Sequence, residues 1–394
     1  MVRALFYFAV IASLISQLPM LLESGLDKYL KLSWIPLTFI IFILHPSEFL
    51  NKKLHFYYLF TIIFGWLIFM LDASTTRKYL SDGGDLYNIV VSLLIFIDSF
   101  IFWKYYSSVS TYKNIILLMI GGCLILGFVV YFYFLQFADF SSTTYAYQAK
   151  NSLAQILFVG GVMALVGISI FKTKLKLSII ISIIILLVII MLLKSRGTII
   201  CIFLVLCYYM MQKNSKALRR YVLWGFIGLI FLIVSSEKLY NLIIVNIIFA
   251  NRDSSSVSSM SSGRTDLILK AIELIDENWI LGVGHKYLDC MPIAILLQYG
   301  IIGLITVLVF LLILSCKVIN LQKNNIINLT TFLIFWSFML NSLFEAYPPF
   351  GPGVKCFPLW MLLGFAFNNN PEFNNIKHIN LKHLYHKSLH KKVI

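Results

Sequence analysis

The chain has 394 residues, of which 60% are hydrophobic and 12% charged, with a formal net charge of +15. A soluble domain carries about a quarter charged residues, so a mean hydropathy of +0.87 excludes an ordinary soluble enzyme. The positive charge therefore does not imply nucleic acid as a partner; in a membrane protein its location along the chain carries the information.

Most apolar residues sit in runs long enough to cross ~30 Å of hydrocarbon as a helix. Lipid offers the backbone no hydrogen-bond partners. A closed barrel solves that with short alternating segments rather than long apolar blocks. The expected fold is all-α, a polytopic transmembrane helix bundle of about twelve spans. In chain order they are expected at 4–22, 32–49, 54–71, 86–103, 115–136, 152–171, 177–193, 198–212, 221–236, 291–315, 326–344 and 356–369. The first stretch lacks a small-residue cleavage site and reads as a retained span.

The charges orient these spans. With the N-terminus in the cytoplasm, the inner segments hold Arg3, Lys52, Lys53, Lys104, Lys113, Lys172, Lys174, Lys176, Lys213, Lys216, Arg219, Arg220, Lys317 and Lys323. Glu48 and Glu372 are the acids on that side, whereas the outer loops balance basic against acidic residues. This asymmetry places both termini in the cytoplasm by the positive-inside rule. Residues 1–371 form the membrane domain. Residues 372–394 form a basic cytoplasmic tail suited to anionic lipid, with the bilayer as its partner.

One long external loop is expected at about 237–290. Its run from Ser254 to Gly263 is rich in serine and reads as flexible. Residues 265–277 follow as a surface helix, with Asp266, Lys270, Glu273 and Glu277 on one face and Leu267, Ala271 and Leu274 on another. Leu281-Gly282-Val283-Gly284 then forms a tight turn before His285 and Lys286.

Ionisable groups close to the membrane are costly, so each one is a candidate. Lys194-Ser195-Arg196-Gly197 lies in an outer loop too short to carry its charge far away. Arg196 reads either as a guanidinium holding an oxyanion with paired hydrogen bonds or as an arginine snorkelling to the interface. Arg264 opens the external helix, where the dipole disfavours a cation unless an anion is bound beside it. The alternative for Arg264 is an exposed loop residue. Arg252, Lys150, His285 and Lys286 are weaker candidates, and Lys286 adds positive potential. Asp289 and Glu345 lie on the same side, and either suits proton removal from a sugar hydroxyl. Tyr347 and Phe350, in the turn after Glu345, can stack on a sugar or belong to an interfacial aromatic belt. Asp98 falls within the fourth span.

Absent motifs bound the chemistry. The sequence holds no P-loop, no histidine–glutamate metal motif and no Gly-x-Ser-x-Gly. Its six cysteines have neither metal spacing nor a disulfide framework. No metal and no cofactor is expected, and any reaction runs outside the cell without ATP.

Three motifs in order carry a resemblance. Ser195-Arg196-Gly197 opens a span after a strongly apolar helix. Gly263-Arg264-Thr265 is followed by the helix and Trp279-Ile280-Leu281-Gly282-Val283-Gly284. Gln298-Tyr299-Gly300-Ile301-Ile302-Gly303 lies in the next span. Together they resemble the O-antigen polymerase/ligase family of Wzy-type membrane glycosyltransferases, over roughly 150–345. The resemblance implies an enzyme of the bacterial inner membrane that builds O-antigen of lipopolysaccharide, or capsule. Its donor would be an undecaprenyl-diphosphate-linked oligosaccharide, transferred en bloc to the non-reducing end of another chain by a metal-independent inverting reaction. It leaves room for a chain-length regulator as a partner. Arg196 and Arg264 would bind the donor pyrophosphate and stabilise the leaving group. Ligases of this family resemble His-Asn-x-x-Leu before the glycine of the tenth span, where this chain has Asp289-Cys290. That departure favours a polymerase, with Asp289 or His285 as base. The alternatives are a ligase and a lipid-linked oligosaccharide flippase. Transporters commonly show inverted repeats and broken helices, and neither is legible in the sequence.

Overall fold

A computed structural model describes residues 1–72, 84–135, 150–212, 264–284, 288–322, 325–344 and 356–368, with scattered positions between 220 and 245. The described elements are helical. They are α1 (Val2–Ile15), α2 (Pro19–Glu23), α3 (Asp27–Lys31), α4 (Trp34–Leu44), α5 (Lys52–Asp72), α6 (Gly84–Tyr106), α7 (Val109–Tyr133), α8 (Lys150–Gly167), α9 (Thr173–Leu192), α10 (Arg196–Gln212), α11 (Arg264–Glu277), α12 (Met291–Leu321), α13 (Ile326–Asn341) and α14 (Phe357–Phe367). A 3-10 turn covers Pro46–Leu50 and a single helical turn covers Glu237–Tyr240.

Among the described residues, five helices are long and apolar enough to cross a membrane: α6 from Tyr87, α7, α8 extended to Ile170, α9 and α12. Several others are apolar but shorter. The expected first span, 4–22, is not one helix. Pro19 has no N–H to give and forces Leu18 into an extended conformation, φ −61° and ψ 132°, so α1 ends at Ile15 and a new short helix begins. Pro46 ends α4 in the same way, after 11 residues. Helix starts follow local side-chain chemistry: the Ser108 and Asn325 side chains accept from the Thr111 and Asn328 N–H groups and cap α7 and α13.

The core is unusually aromatic. Phe6 stacks on Phe102 with centroids 3.9 Å apart, and Phe60 on Phe310 at 3.7 Å. Helix α14 runs through the middle of this core with residues Phe357 to Ala366 all buried, packed most extensively against α6. An 11-residue helix rises only about 17 Å, so α14 is too short to span alone. Apolar on every side, it is wrapped by protein.

Long-range contacts assign the helix ends. Arg3 Nε donates to the Tyr106 carbonyl at 3.0 Å, and Lys53 Nζ to the Phe367 carbonyl at 3.4 Å. The Lys317 ammonium lies 5.2 to 6.0 Å from the rings of Phe56, Tyr57 and Phe367. These basic residues thus share one end of the bundle. The ends of α9 and α13, and the starts of α10, α11 and α12, gather at the other.

The expected tenth span is broken. Inside α12, Gly300 adopts φ 64° and ψ −167°, splitting a short segment from Met291 to Tyr299 off a longer one. The short segment has no strongly exposed residue, whereas Ile302, Ile305, Leu308, Val309 and Leu312 are exposed along the longer one.

Candidate functional site

The apolar stripe of α11 fixes its place. Ala271 and Ile275, four residues apart on one face, pack with Val283, Leu288, Ala294 and Leu297 into a small core of their own. This docks the first turn of α11 beside the entry to α12. There Arg264 Nε donates to Asp289 Oδ2 at 3.1 Å, across 25 residues of sequence. The two side chains are 25% and 21% exposed, so water and salt screen the pair less than an open surface pair.

The segment before Asp289 is locked to the break in α12. The Val283 N–H donates to the Leu297 carbonyl at 2.8 Å, and the Gly284 N–H to the Gln298 carbonyl at 3.3 Å. The Ile301 N–H donates back to the Trp279 carbonyl at 2.9 Å. A broken helix strands backbone polar groups, and this segment satisfies them. The approach requires glycine on both sides. A Cβ on Gly300 would lie 2.1 Å from the Ile280 carbonyl oxygen, and one on Gly282, at φ +74°, 2.6 Å from the Gln298 carbonyl. Two of the three sequence motifs are therefore halves of one interlock.

The first motif reaches the same end through α13. The Met291 N–H donates to the Ser342 carbonyl at 2.8 Å, which ties the entry of α12 to the end of α13. Next to it, Asn341 Oδ1 stands 2.7 Å from where a Gly197 Cβ would be, so α10 and α13 touch at that level. Arg196 is the first residue of α10 and is half-buried. The connection from α9 is so short that Lys194 takes the left-handed conformation, φ 51°, and is only 6% exposed. Ser195 Oγ and Thr198 Oγ1 share a hydrogen bond of 3.0 Å, both buried. Lys150 starts α8 and is half-buried. The short link from α8 to α9 makes these two antiparallel neighbours, so Lys150 sits at this end too.

The structure therefore brings Arg196, Lys194, Lys150, Arg264 and Asp289 to one end of the bundle, with Arg264 and Asp289 in direct contact. Both arginines occupy the first position of a helix, where free N–H groups and the guanidinium favour the same anionic guest. His285, Lys286, Arg252, Glu345, Tyr347 and Phe350 lie outside the described residues.

Sequence reading passed over several polar residues. Thr198, Asn341 and Ser342 are buried around the arginine turn, beside Ser195 of the first motif. Gln155, on α8, is 2% exposed, and among the described residues neither atom of its amide has a hydrogen-bond partner. The available signal was a polar side chain inside an apolar run. Asp98 does lie within α6, fully buried, accepting at Oδ2 from Thr38 Oγ1 at 2.8 Å, far along the chain from the arginine end.

No protein-family model matches the chain, and no curated protein matches it.

Proposed function

We propose that this protein is a polymerase of surface polysaccharide, transferring an undecaprenyl-diphosphate-linked glycan onto the non-reducing end of another lipid-linked repeat unit. The observation that carries the reading is the gathering of two helix-opening arginines at one end of an apolar bundle, one of them held by Asp289 at 3.1 Å. In this reading the bundle has about twelve spans, the arginine end faces outward, and the Arg3–Lys53–Lys317 end faces the cytoplasm.

The reaction is a single displacement. The acceptor hydroxyl attacks the anomeric carbon, the bond from that carbon to the diphosphate oxygen breaks, and polyprenyl diphosphate leaves. Arg196 and Arg264 meet the charge that grows on the leaving oxygens, the kind of stabilisation that contributes most in such sites. Asp289 is already engaged by Arg264, which fits it to orient that guanidinium. His285, four residues earlier, is then assigned the hydroxyl proton.

Deleting the gene is expected to leave glycans of a single repeat, and Arg264→Ala to do nearly the same while the protein still inserts. Full-length polymer from the Arg264→Ala strain refutes the assignment. Long chains that are made but never attached to their acceptor would point instead to a ligase. A break such as that at Gly300 occurs in transporters. There, however, broken ends face the transported ion, whereas the Leu297, Gln298 and Ile301 backbone groups are bonded within the chain. That difference favours the polymerase over a flippase.

A further inference from the structure

We infer that the turn Trp279-Ile280-Leu281, in the segment read as an external loop, is immersed in the lipid leaflet at the arginine end and anchors that segment to the bilayer. The three side chains are 56%, 47% and 50% exposed, three large apolar residues in a row. In water such a run is a liability, and on a folded protein it marks a surface that meets something apolar. Its backbone is engaged. The Gly282 N–H closes the turn on the Asn278 carbonyl at 2.8 Å, and the Trp279 carbonyl accepts from the Ile301 N–H at 2.9 Å. Both bonds lower the cost of entering hydrocarbon, where water is absent.

Position selects lipid as the occupant. Ile301 is the first residue of the longer segment of α12, so the turn sits on the end of a helix long and apolar enough to cross a membrane. The two backbones are in contact: a Cβ on Gly300 would lie 2.1 Å from the Ile280 carbonyl oxygen and 2.6 Å from the Leu281 nitrogen. Along that helix Ile302, Ile305, Leu308, Val309 and Leu312 are exposed at helical spacing, a stripe that faces acyl chains in the membrane reading. The exposed turn stands at the end of this stripe, so the same medium covers both. The depth agrees. From Ile301 to Leu321 the segment rises about 31 Å, against ~30 Å of hydrocarbon. That sets the turn at the boundary of the acyl layer, the level where tryptophan concentrates. The preceding helix limits the insertion. Asp266, Lys270, Glu273 and Asp276 of α11 are exposed, so α11 stays among headgroups and water, and only the turn after it dips. Through Val283 and Gly284 the anchored turn continues into the interlock and on to Asp289, so contact with lipid holds the Arg264–Asp289 pair at the membrane surface. Lipid contact of this kind requires only that the bundle spans a membrane, whatever reaction it carries.

Tryptophan emission reports the surroundings of the turn. Purified full-length protein and its Trp279→Phe variant are placed in phosphatidylglycerol nanodiscs, and the difference between their spectra isolates Trp279. That emission should be quenched when the lipid carries bromine on its acyl chains, and should resist iodide in the buffer. Cysteine accessibility gives a second readout in the same nanodiscs. Above the wild-type background, a charged, membrane-impermeant maleimide should label Ile280→Cys about tenfold more slowly than Lys270→Cys, the equivalent of about 1.4 kcal/mol. Lys270 is exposed on α11, so that variant leaves the turn intact. Quenching by iodide with none by brominated lipid would put the turn in water and overturn the inference. Resistance to both quenchers would mean that protein, the chain's own or a second copy, covers the turn, and would overturn it equally. So would equal labelling of the two cysteines.

Discussion

Gly300→Ala is the sharpest perturbation of the scaffold that carries the site. The backbone at this position, φ 64° and ψ −167°, lies in a region essentially closed to side-chain-bearing residues, so alanine there costs about 1–3 kcal/mol. The added methyl would also sit 2.1 Å from the Ile280 carbonyl oxygen and 2.3 Å from its carbon, which are backbone atoms that cannot rotate away. The 279–284 segment must then withdraw, and the hydrogen bonds joining Val283 to Leu297, Gly284 to Gln298 and Ile301 to Trp279 are lost with it. At a net value near 1 kcal/mol each, the combined loss is about 4–6 kcal/mol. That corresponds to a roughly thousandfold or greater rise in local opening. Amide hydrogen exchange on the protein in nanodiscs reads it directly, at Val283, Gly284 and Ile301. Gly161→Ala is the control, because a Cβ there meets nothing within 4 Å. If the three amides stay as protected in Gly300→Ala as in the wild type, the interlock does not hold the break and the argument is wrong.

Other perturbations have equally definite outcomes. Asp289→Asn removes the charge that faces Arg264 at 3.1 Å; since a hydrogen bond to a charged group is worth about 1.5–3 kcal/mol, turnover should fall roughly 10- to 100-fold, measured by polymer length in membranes. Gln155→Leu replaces a buried amide that has no hydrogen-bond partner among the described residues, and should raise stability by about 1–3 kcal/mol; a lower melting temperature in detergent would contradict that. At the opposite end, burial pushes the Glu48 carboxyl up, but hydrogen bonds from Lys104, Tyr105 and Asn51 outweigh it and hold the group below its ordinary value of 4.5. A lowered carboxyl stabilises the fold above that value, and the contribution disappears as pH falls through the depressed one. Thermal melts should therefore show a stability loss on acidification below about pH 4.5 that Glu48→Gln lacks.

Much of the candidate site was legible because it is written in local chemistry. Arg196 was found as a charge in a loop too short to carry it away from an apolar stretch and Arg264 as a cation opening a helix, and both stand at helix starts. The helix at 265–277 was expected within one residue of its observed span from its three- and four-residue apolar spacing, but its buried face is Ala271 with Ile275, while Leu267, expected on that face, is exposed. The first span was misjudged for an equally local reason. Its hydropathy runs through Pro19, but the helix does not. Gln155 and Asn341 escaped attention because a single polar residue in an apolar run looks the same whether its partners exist or not.

The sequence alone determines the all-helical, lipid-compatible character of this protein, the positions of most of its helices and the identity of its isolated charges. These follow from composition and from periodicities of a few residues, which need no knowledge of distant chain. Tertiary structure decided that Gly282 and Gly300 belong to one interlock, that α14 is a core helix too short to span, and that Arg264 meets Asp289. Each of these depends on backbone from a distant part of the chain filling a specific space, and no local pattern encodes which segment will arrive there.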